Sequence, residues 1–590
     1  MRPPSITSSR QRAMSPRGQC VGASPGWGKS TSPRRSPMRA PLPYVLMLAM
    51  AVAGTSAAAA EHSAPTLDSL ADGALLLDGL GTHERQVTTA SPQAQAFFNQ
   101  GLRLAYGFNH DEAARSFARA AQLDPTCAMC FWGVALVLGP NYNMPMLAES
   151  APAAWDALQR ARQLAPRTTP VEQALITALV QRYPGPNALP PEKMAPFNEA
   201  YASAMADVAA RYPEDLDVQT LHAEALMDRN PWKLWSLDGA PAPGTEQIVA
   251  TLESVLTRAP YHLGANHYYI HAVEASPNPE KAEPSADRLG ALAPKAGHIV
   301  HMPAHIYQRV GRYADASESN RKAAAADLAY QKQAKPRGHV YPMYTSHNFG
   351  FLAYSASMEG RKQETLEAAR ASAKHFPPEL LTMMPGMDFF VAQPLFAMVR
   401  FGDWEGLLAE PRPNPKYPVQ TGLWLHAHGM ALAATGQLPQ ARAELAELRQ
   451  LARTVPPTLA ANLNTAKDVL GVAVRVLEAR VAQAEGRPQA LTLWREAVDA
   501  ADRLSYAEPA DWFYPVRHYQ GAALLEAGRN QEAEAVYRED LRRNPKNGWG
   551  LFGLTQSLEA QGRHEEAART RSAFEKAWAR ADFPLTTTAP

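Results

Sequence analysis

The sequence is poor in cysteine, with three in 590 residues. Cys20 lies in a Ser-, Pro- and Arg-rich N-terminal stretch without hydrophobic periodicity, so only Cys127 and Cys130 are expected in the folded part of the chain. This pair is not followed by His, which excludes the attachment of a c-type haem. No strand–helix–strand pattern surrounds the pair, so a thioredoxin-like fold is excluded as well.

Excess charge of either sign is also absent. The chain has 58 Lys and Arg against 57 Asp and Glu, a formal net charge of +1. It therefore offers no electrostatic basis for binding nucleic acid or an anionic membrane. The motifs G-x-S-x-G, Walker, G-x-G-x-x-G and H-E-x-x-H are missing, which favours a protein that is not an enzyme. After residue 60 no run of about 18 apolar residues occurs, so no membrane-spanning helix is expected there.

Residues 1–60 are predicted to be a disordered extension followed by a signal peptide. Arg39 precedes a short apolar stretch over 44–53 and a run of small residues over 56–60. This order of positive charge, apolar core and small-residue cleavage site is typical of secretory signal peptides. We expect translation to start at Met38 and the protein to be exported, either to the periplasm or out of the cell.

The remaining chain is predicted to be all-helical, because alanine is abundant and two-residue alternation of β-branched residues is scarce. A short pattern near the C-terminus occurs twice, 34 residues apart: Gly528, Arg529, Glu532 and Ala533, then Gly562, Arg563, Glu566 and Ala567. A similar order of small, turn, aromatic and Pro positions runs from Gly101 through Phe117 to Pro125. These residues resemble the tetratricopeptide repeat (TPR), whose period is 34 residues.

The resemblance implies an all-α fold, a TPR-like right-handed α-solenoid of antiparallel helix pairs with a concave groove. It implies the following segments: a lead-in over 61–91, repeats over 92–166, divergent helical repeats over 167–284, repeats with a His-rich segment over 285–450, a divergent helical pair over 451–509, and C-terminal repeats over 510–580. The strings around Cys127 and His301 are similar to those of uncharacterised secreted bacterial TPR proteins. That similarity implies an architecture and a compartment, but no activity.

Eight of the 17 histidines lie between His262 and His347. Six of these are candidate metal ligands: His267, His271, His298, His301, His305 and His347. Imidazoles three or four residues apart on a helix can share a metal ion, and a neighbouring helix can add a third ligand. Imidazole suits copper, iron or zinc. Pro303 leaves two placements open, since it either kinks a helix that carries His298 and His301 or begins a helix after them.

The repeat register predicts further side chains along the groove: Tyr268, Tyr307, Tyr354, His426 and His518. A groove lined in this way suits a protein or peptide partner. The clustered histidines would then be polar groove residues that pack against tyrosine and bind no metal. His110 and His564 are predicted to be structural, because each lies two residues after a helix turn.

Cys127 and Cys130 open a helix after Pro125, where the helix N-terminus lowers the pKa of a thiol. A structural disulfide is the favoured hypothesis for an oxidising compartment. The alternatives are a redox dithiol and a soft-metal site shared with Met144 and Met146.

Besides the redox dithiol, two functions therefore remain open. The first is an exported TPR scaffold that binds a protein or peptide in its groove. The second is a metal-binding protein or metalloenzyme that uses copper, iron or zinc at the histidines of 262–347. Metal analysis of protein purified without a His-tag distinguishes them.

Overall fold

Alanine-rich segments with one apolar face form a succession of α-helices in a computed structural model that describes residues 65–335 and 340–590. The predicted signal peptide lies outside the described residues. The first helices are α1 (Leu67–Ala71), α2 (Pro92–Tyr106), α3 (His110–Leu123), α4 (Ala128–Val137), α5 (Ala151–Leu164), α6 (Pro170–Val180), α7 (Pro191–Arg211), α8 (Leu216–Met227) and α9 (Thr245–Arg258). The central helices are α10 (Leu263–Val273), α11 (Glu283–Leu292), α12 (Gly297–His301), α13 (Pro303–Arg309), α14 (Tyr313–Ala334), α15 (Val340–Met358), α16 (Lys362–His375), α17 (Leu380–Met383), α18 (Gln393–Arg400) and α19 (Trp404–Ala409). The last helices are α20 (Pro418–Ala434), α21 (Leu438–Thr454), α22 (Ala466–Ala484), α23 (Ala490–Ala501), α24 (Val516–Glu526), α25 (Asn530–Arg543), α26 (Gly548–Ala560) and α27 (His564–Ala577).

Strand structure is minor in the described part of the chain. Two short strands, β1 (Ala460–Ala461) and β2 (Asn464–Thr465), pair antiparallel just before α22. Short 3-10 helices lie at Ala148–Ser150, Ala165–Arg167, Pro279–Ala282 and Met387–Ala392. Among the described helices, none is both long and apolar enough to span a bilayer.

Each helix packs chiefly against its neighbours in sequence. The pairs α2 with α3, α14 with α15, α15 with α16 and α26 with α27 make extensive contacts, and so do α20 with α21. Helices two apart also touch, as in α2 with α4, α20 with α22 and α24 with α26. Short turns between consecutive packed helices make the pairs antiparallel, and stacking on both neighbours produces a solenoid. The all-α, TPR-like prediction is confirmed.

The aromatic position of the repeat fills the space between helix pairs. Phe117 of α3 is fully buried and lies between Gly101 of α2 and Gly133 of α4. A Cβ atom at Gly133 would lie 2.4 Å from the Phe117 ring, so only glycine permits this approach. Tyr537 repeats the arrangement near the C-terminus, against Gly521 and Gly553. The same physical rule therefore operates at both ends of the chain.

The side of the solenoid that holds the histidines is covered by segments of the same chain. The loop before α24 brings Tyr506 to the backbone carbonyl of Glu274, with an O–O distance of 3.2 Å. The loop after α4 packs Tyr142 against His271, with ring centroids 5.1 Å apart. Near the C-terminus, the Thr588 hydroxyl donates to the carbonyl of His518 over 2.8 Å. The positions expected to line an open groove are thus interior.

Candidate metal centre

Four helices bring the six candidate histidines together. His267 and His271 lie one turn apart on α10, His298 and His301 lie on α12, and the remaining two lie on α13 and α15. Pro303 begins α13, as a proline at the first helical position can, but α12 precedes it with only Met302 between them. His298 and His301 are therefore helical and not in a loop.

Three imidazoles form the group that we call the 301 triad: His301, His305 and His347. Nε2 of His301 lies 2.8 Å from Nε2 of His305 and 3.1 Å from Nε2 of His347. A metal ion 2.0–2.1 Å from two nitrogens holds them about 3 Å apart. The spacing within the 301 triad fits a transition-metal ion.

Hydrogen bonds behind the rings fix the tautomers of two members of the 301 triad. His301 Nδ1 lies 2.6 Å from Asn320 Oδ1, and the amide NH₂ of Asn320 is committed to the Ala316 carbonyl at 2.8 Å. Nδ1 of His301 therefore carries the proton. His305 Nδ1 faces Oε2 of Glu274 at 2.7 Å, which requires a proton there too. Both Nε2 atoms consequently direct lone pairs at one another, as metal-ligating histidines with an outer hydrogen bond do.

Burial disfavours the charged form of these rings. It lowers the pKa of His301 well below the usual value, and the facing rings of His347 and His305 lower it further. Burial likewise lowers the pKa of His347 to about 3. It also lowers the pKa of His305, although Glu274 opposes this. A neutral imidazole is the form that binds metal.

The other three imidazoles form the 267 triad: His267, His271 and His298. One nitrogen from each lies within 4.8 Å of the other two. Nδ1 of His267 donates to the Tyr106 carbonyl over 2.5 Å, and Nδ1 of His271 donates to Glu274 over 3.1 Å. Nε2 of both rings has no hydrogen-bond partner among the described residues.

Glu274 lies between the two triads. Its Oε1 faces His271 and its Oε2 faces His305. Burial opposes the ionisation of Glu274, but these two rings outweigh it and place the pKa of the carboxyl at about 2. A second carboxyl, Glu508, has Oε2 3.1 Å from His305 Nδ1, and burial together with the charge of Glu274 raises its pKa well above the usual value. The pKa values of the two buried carboxyls are thus shifted in opposite directions.

Each triad has its own phenylalanine. The Phe108 ring lies 4.7 Å from His267, 5.7 Å from His271 and 5.9 Å from the third ring of the 267 triad. The Phe351 ring lies 5.0 to 5.8 Å from the rings of the 301 triad. This apolar surrounding excludes water and fixes the imidazole orientations.

A third polar group, at His83, Asp217 and His262, has a different character. It lines an open pocket of about 440 Å³ beside the exposed Tyr261. Nδ1 of His262 accepts from the N–H of Ala265 and caps α10. Oδ1 of Asp217 already receives Tyr106 Oη at 2.6 Å and His83 Nε2 at 2.8 Å. The carboxylate at the centre of this group is therefore satisfied by the protein itself.

The five side chains predicted to line a groove are all buried: Tyr268, Tyr307, Tyr354, His426 and His518. Both ring nitrogens of His426 have partners, the Ala473 carbonyl at 3.1 Å and the Tyr514 hydroxyl at 2.8 Å. His518 Nε2 lies 2.8 Å from an Asp540 oxygen. This corrects the expectation of an exposed groove at these positions, because later segments of the chain cover them.

Cys127 and Cys130 are joined by a disulfide, and both residues are fully buried. Cys127 caps α4 by accepting from the N–H of Cys130 over 3.2 Å. His110, predicted to be structural, places Nδ1 2.9 Å from the Val137 carbonyl.

Sequence reasoning missed Glu274, Asn320, Glu508 and His83. The first of these follows His271 by three residues and caps the end of α10, so its proximity could have been predicted. The other three lie far in sequence from the atoms they meet. Nothing in the sequence indicates those contacts.

No protein-family model matches the sequence, and no curated protein matches it. Similar solved structures include the human IFIT1 dimer with m7Gppp-AAAA, at 13% identity over 76% of this chain and 90% of that chain, with a TM-score of 0.34. The APC/C hetero-tetramer Cut9–Hcn1 is 14% identical over 85% of this chain and 79% of that chain, with a TM-score of 0.31. Yeast Tom70 is 11% identical over 83% of this chain and 92% of that chain, with a TM-score of 0.27. Scores this low carry no argument about function.

Proposed function

We propose that this protein is a metal-binding α-solenoid that holds a first-row transition ion at the 301 triad. The observation that carries the proposal is the convergence of three Nε2 atoms, with His301 only 2.8 and 3.1 Å from its two neighbours. Nδ1 of His301 and of His305 is committed to an acceptor, so these Nε2 atoms have no proton to share. A cation bound between them relieves the repulsion of the lone pairs.

Imidazole ligands suit copper, zinc and iron, and the general order of affinities places Cu²⁺ first among the divalent ions. Three protein nitrogens leave one coordination position for water or another small ligand, which is typical of catalytic sites and not of structural ones. The nearby Glu274 carboxylate supplies negative charge that favours a bound cation.

The competing proposal, binding of a protein or peptide in a His- and Tyr-lined groove, receives less support. It requires exposed side chains, and Tyr307 and His426 are among those that are buried. The repeat architecture by itself does not distinguish the two functions.

We also propose that the protein is exported. The order of charge, apolar core and small residues over 38–60 supports this proposal. The disulfide between Cys127 and Cys130 is compatible with an oxidising compartment.

The test uses the full chain, purified without a His-tag, stripped with a chelator and titrated with Cu²⁺ or Zn²⁺. We expect stoichiometric binding and a higher melting temperature, since a ligand at 100 times its Kd stabilises by about 2.7 kcal/mol. The double variant His301→Gln/His305→Gln loses the part of this stabilisation that comes from an ion at the 301 triad. His426→Gln is the matched control, because it changes a buried histidine whose two nitrogens already have partners. Absence of stoichiometric metal in the unmodified protein would overturn the proposal.

A further inference from the structure

We propose that the 267 triad is a second metal site and that Glu274 couples it to the first. This inference rests on the function proposed above and extends it from one ion to a pair of ions. The second ion belongs to the same chemical class, a transition-metal dication that prefers imidazole.

The nitrogens of the 267 triad are arranged for a cation. Nδ1 of His267 donates to a backbone carbonyl, and Nδ1 of His271 donates to a carboxylate, so both Nε2 atoms carry lone pairs. Neither nitrogen of His298 has a hydrogen-bond partner among the described residues, although the side chain is buried. Buried nitrogens without partners are costly, and one ion bound by all three rings would satisfy one nitrogen of each ring.

One ion cannot serve all six histidines. The histidine nitrogens that lie within 4.8 Å of one another form two separate groups of three, the 267 triad and the 301 triad. Zinc sites in proteins usually have four ligands, so six imidazoles are more than one such ion takes. The separate packing of the triads against Phe108 and Phe351 agrees with two centres.

Glu274 is the physical connection between the centres. One carboxylate orients a ligand of each triad, through Oε1 to His271 and through Oε2 to His305. An ion at one centre draws this shared negative charge towards its own histidine. The other centre then has less negative charge nearby to offset the charge of its own ion. The second ion therefore binds more weakly than the first. Thermodynamic linkage requires the effect to be equal in both directions.

The experiment titrates metal-free full chain with Cu²⁺ and, separately, with Zn²⁺, and counts bound ions by elemental analysis and calorimetry. We expect two equivalents, with the second bound at least tenfold more weakly. His267→Gln/His271→Gln loses one equivalent and retains the other, and His301→Gln/His305→Gln does the reverse. In each variant the remaining ion binds as tightly as the first of the two ions binds to the unmodified protein. Circular dichroism checks the helical content, and the single variants His298→Gln and His347→Gln replace any double variant that fails to fold.

Glu274→Gln tests the coupling. An amide offers only one acceptor oxygen, and its NH₂ faces the other imidazole. A ring that accepts at Nδ1 carries its proton on Nε2, which opposes metal binding at that centre. We expect the metal affinity of one centre to fall 10- to 100-fold, which is the usual effect of replacing a hydrogen-bond partner of a metal-ligating histidine. The affinity of the other centre should be retained. Asp511→Asn, which makes the same change in a buried carboxyl outside both triads, retains two equivalents.

Each outcome is decisive. Two equivalents that are lost one at a time support the pair of centres. A single equivalent that depends only on the 301 triad overturns this inference and leaves the proposed function standing. A single equivalent that depends on both triads overturns the pair in favour of one shared site. No bound metal overturns both proposals.

Discussion

The Nε2 atoms of His301 and His305 lie 2.8 Å apart, although Nδ1 of each ring already faces a hydrogen-bond acceptor. Two lone pairs at this distance repel each other unless a cation lies between them. Burial lowers the pKa of both rings and so disfavours a proton as that cation. The residues that fix the tautomers are therefore as important to the centre as the ligands.

Asn320 offers a test that leaves every ligand in place. In Asn320→Ala, the His301 ring loses the acceptor that holds its proton on Nδ1. We expect metal affinity to fall roughly 10- to 100-fold, as calorimetry would measure. Asn320→Asp keeps an acceptor and retains binding. Asn547→Ala removes another fully buried asparagine, far along the sequence, and should leave the affinity unchanged. Equal affinities in Asn320→Ala and the unmodified protein would contradict the tautomer argument.

Gly133 tests the packing of the repeat. In Gly133→Ala the new methyl group meets the Phe117 ring at 2.4 Å, so the core must shift. We expect the free energy of unfolding in urea to fall by about 1–3 kcal/mol, the usual cost of overpacking. Gly185→Ala is the control, because no atom lies within 4 Å of the added methyl group. Phe117→Leu combined with Gly133→Ala should recover part of the loss. If Gly133→Ala left the free energy of unfolding unchanged, the helices would not approach this closely.

Asp511 predicts a pH dependence of stability. Burial raises the pKa of its carboxyl to about 6, although the hydrogen bonds that it accepts from Asn462 and Asn464 lower the pKa. In the unfolded chain the pKa of this carboxyl is near 3.8. Between these two values the unfolded state releases a proton that the folded state retains. Stability from this group is therefore fully present below pH 4 and decreases as the pH rises to 6, by roughly 3 kcal/mol.

The measurement for Asp511 is the difference in unfolding free energy between Asp511→Asn and the unmodified protein. Relative to the unmodified protein, the free energy of unfolding of Asp511→Asn should increase from pH 4 to pH 7 and then stay constant. Asn462 can turn its amide to accept from the NH₂ group that the substitution introduces, so the variant retains its hydrogen bonds. A difference that does not change with pH would rule out the raised pKa.

The disulfide should resist reagents in the folded protein. Cys127 and Cys130 have no exposed surface, so a reductant and an alkylating reagent reach them only after unfolding. Mass spectrometry of labelled peptides separates these residues from Cys20. Unmodified Cys127 under native reducing conditions is the expected result. Rapid labelling of Cys127 without unfolding would instead support the redox-dithiol hypothesis.

Local rules in the sequence were sufficient to predict the helices. Glycine and proline end the helices, small residues allow two helices to approach closely, and an aromatic side chain fills the space between helix pairs. The 34-residue pattern therefore predicts pairs such as α2 with α3 and α26 with α27. The same helical spacing places His267 and His271 one turn apart on one face of α10. These are short-range properties, which is why sequence reasoning recovered them.

The sequence alone could not predict which polar contacts the histidines make. His426 and His518 occupy the same register as the candidate ligands, but Tyr514 and Asp540 satisfy their nitrogens. The expected groove is interior because other loops of the chain lie against it. Both outcomes depend on contacts between residues many turns apart.

By itself, the sequence determined the helical repeat and the placement of His267 and His271 one turn apart on a helix, since both follow from periodicity. Only the tertiary structure decided that His298 and His301 are helical, that the six histidines meet around Glu274, and that five of them are buried while His347 is partly exposed. The reason is physical: a helix sets the direction of its side chains, but long-range packing sets what each nitrogen faces and therefore which lone pairs remain for a metal.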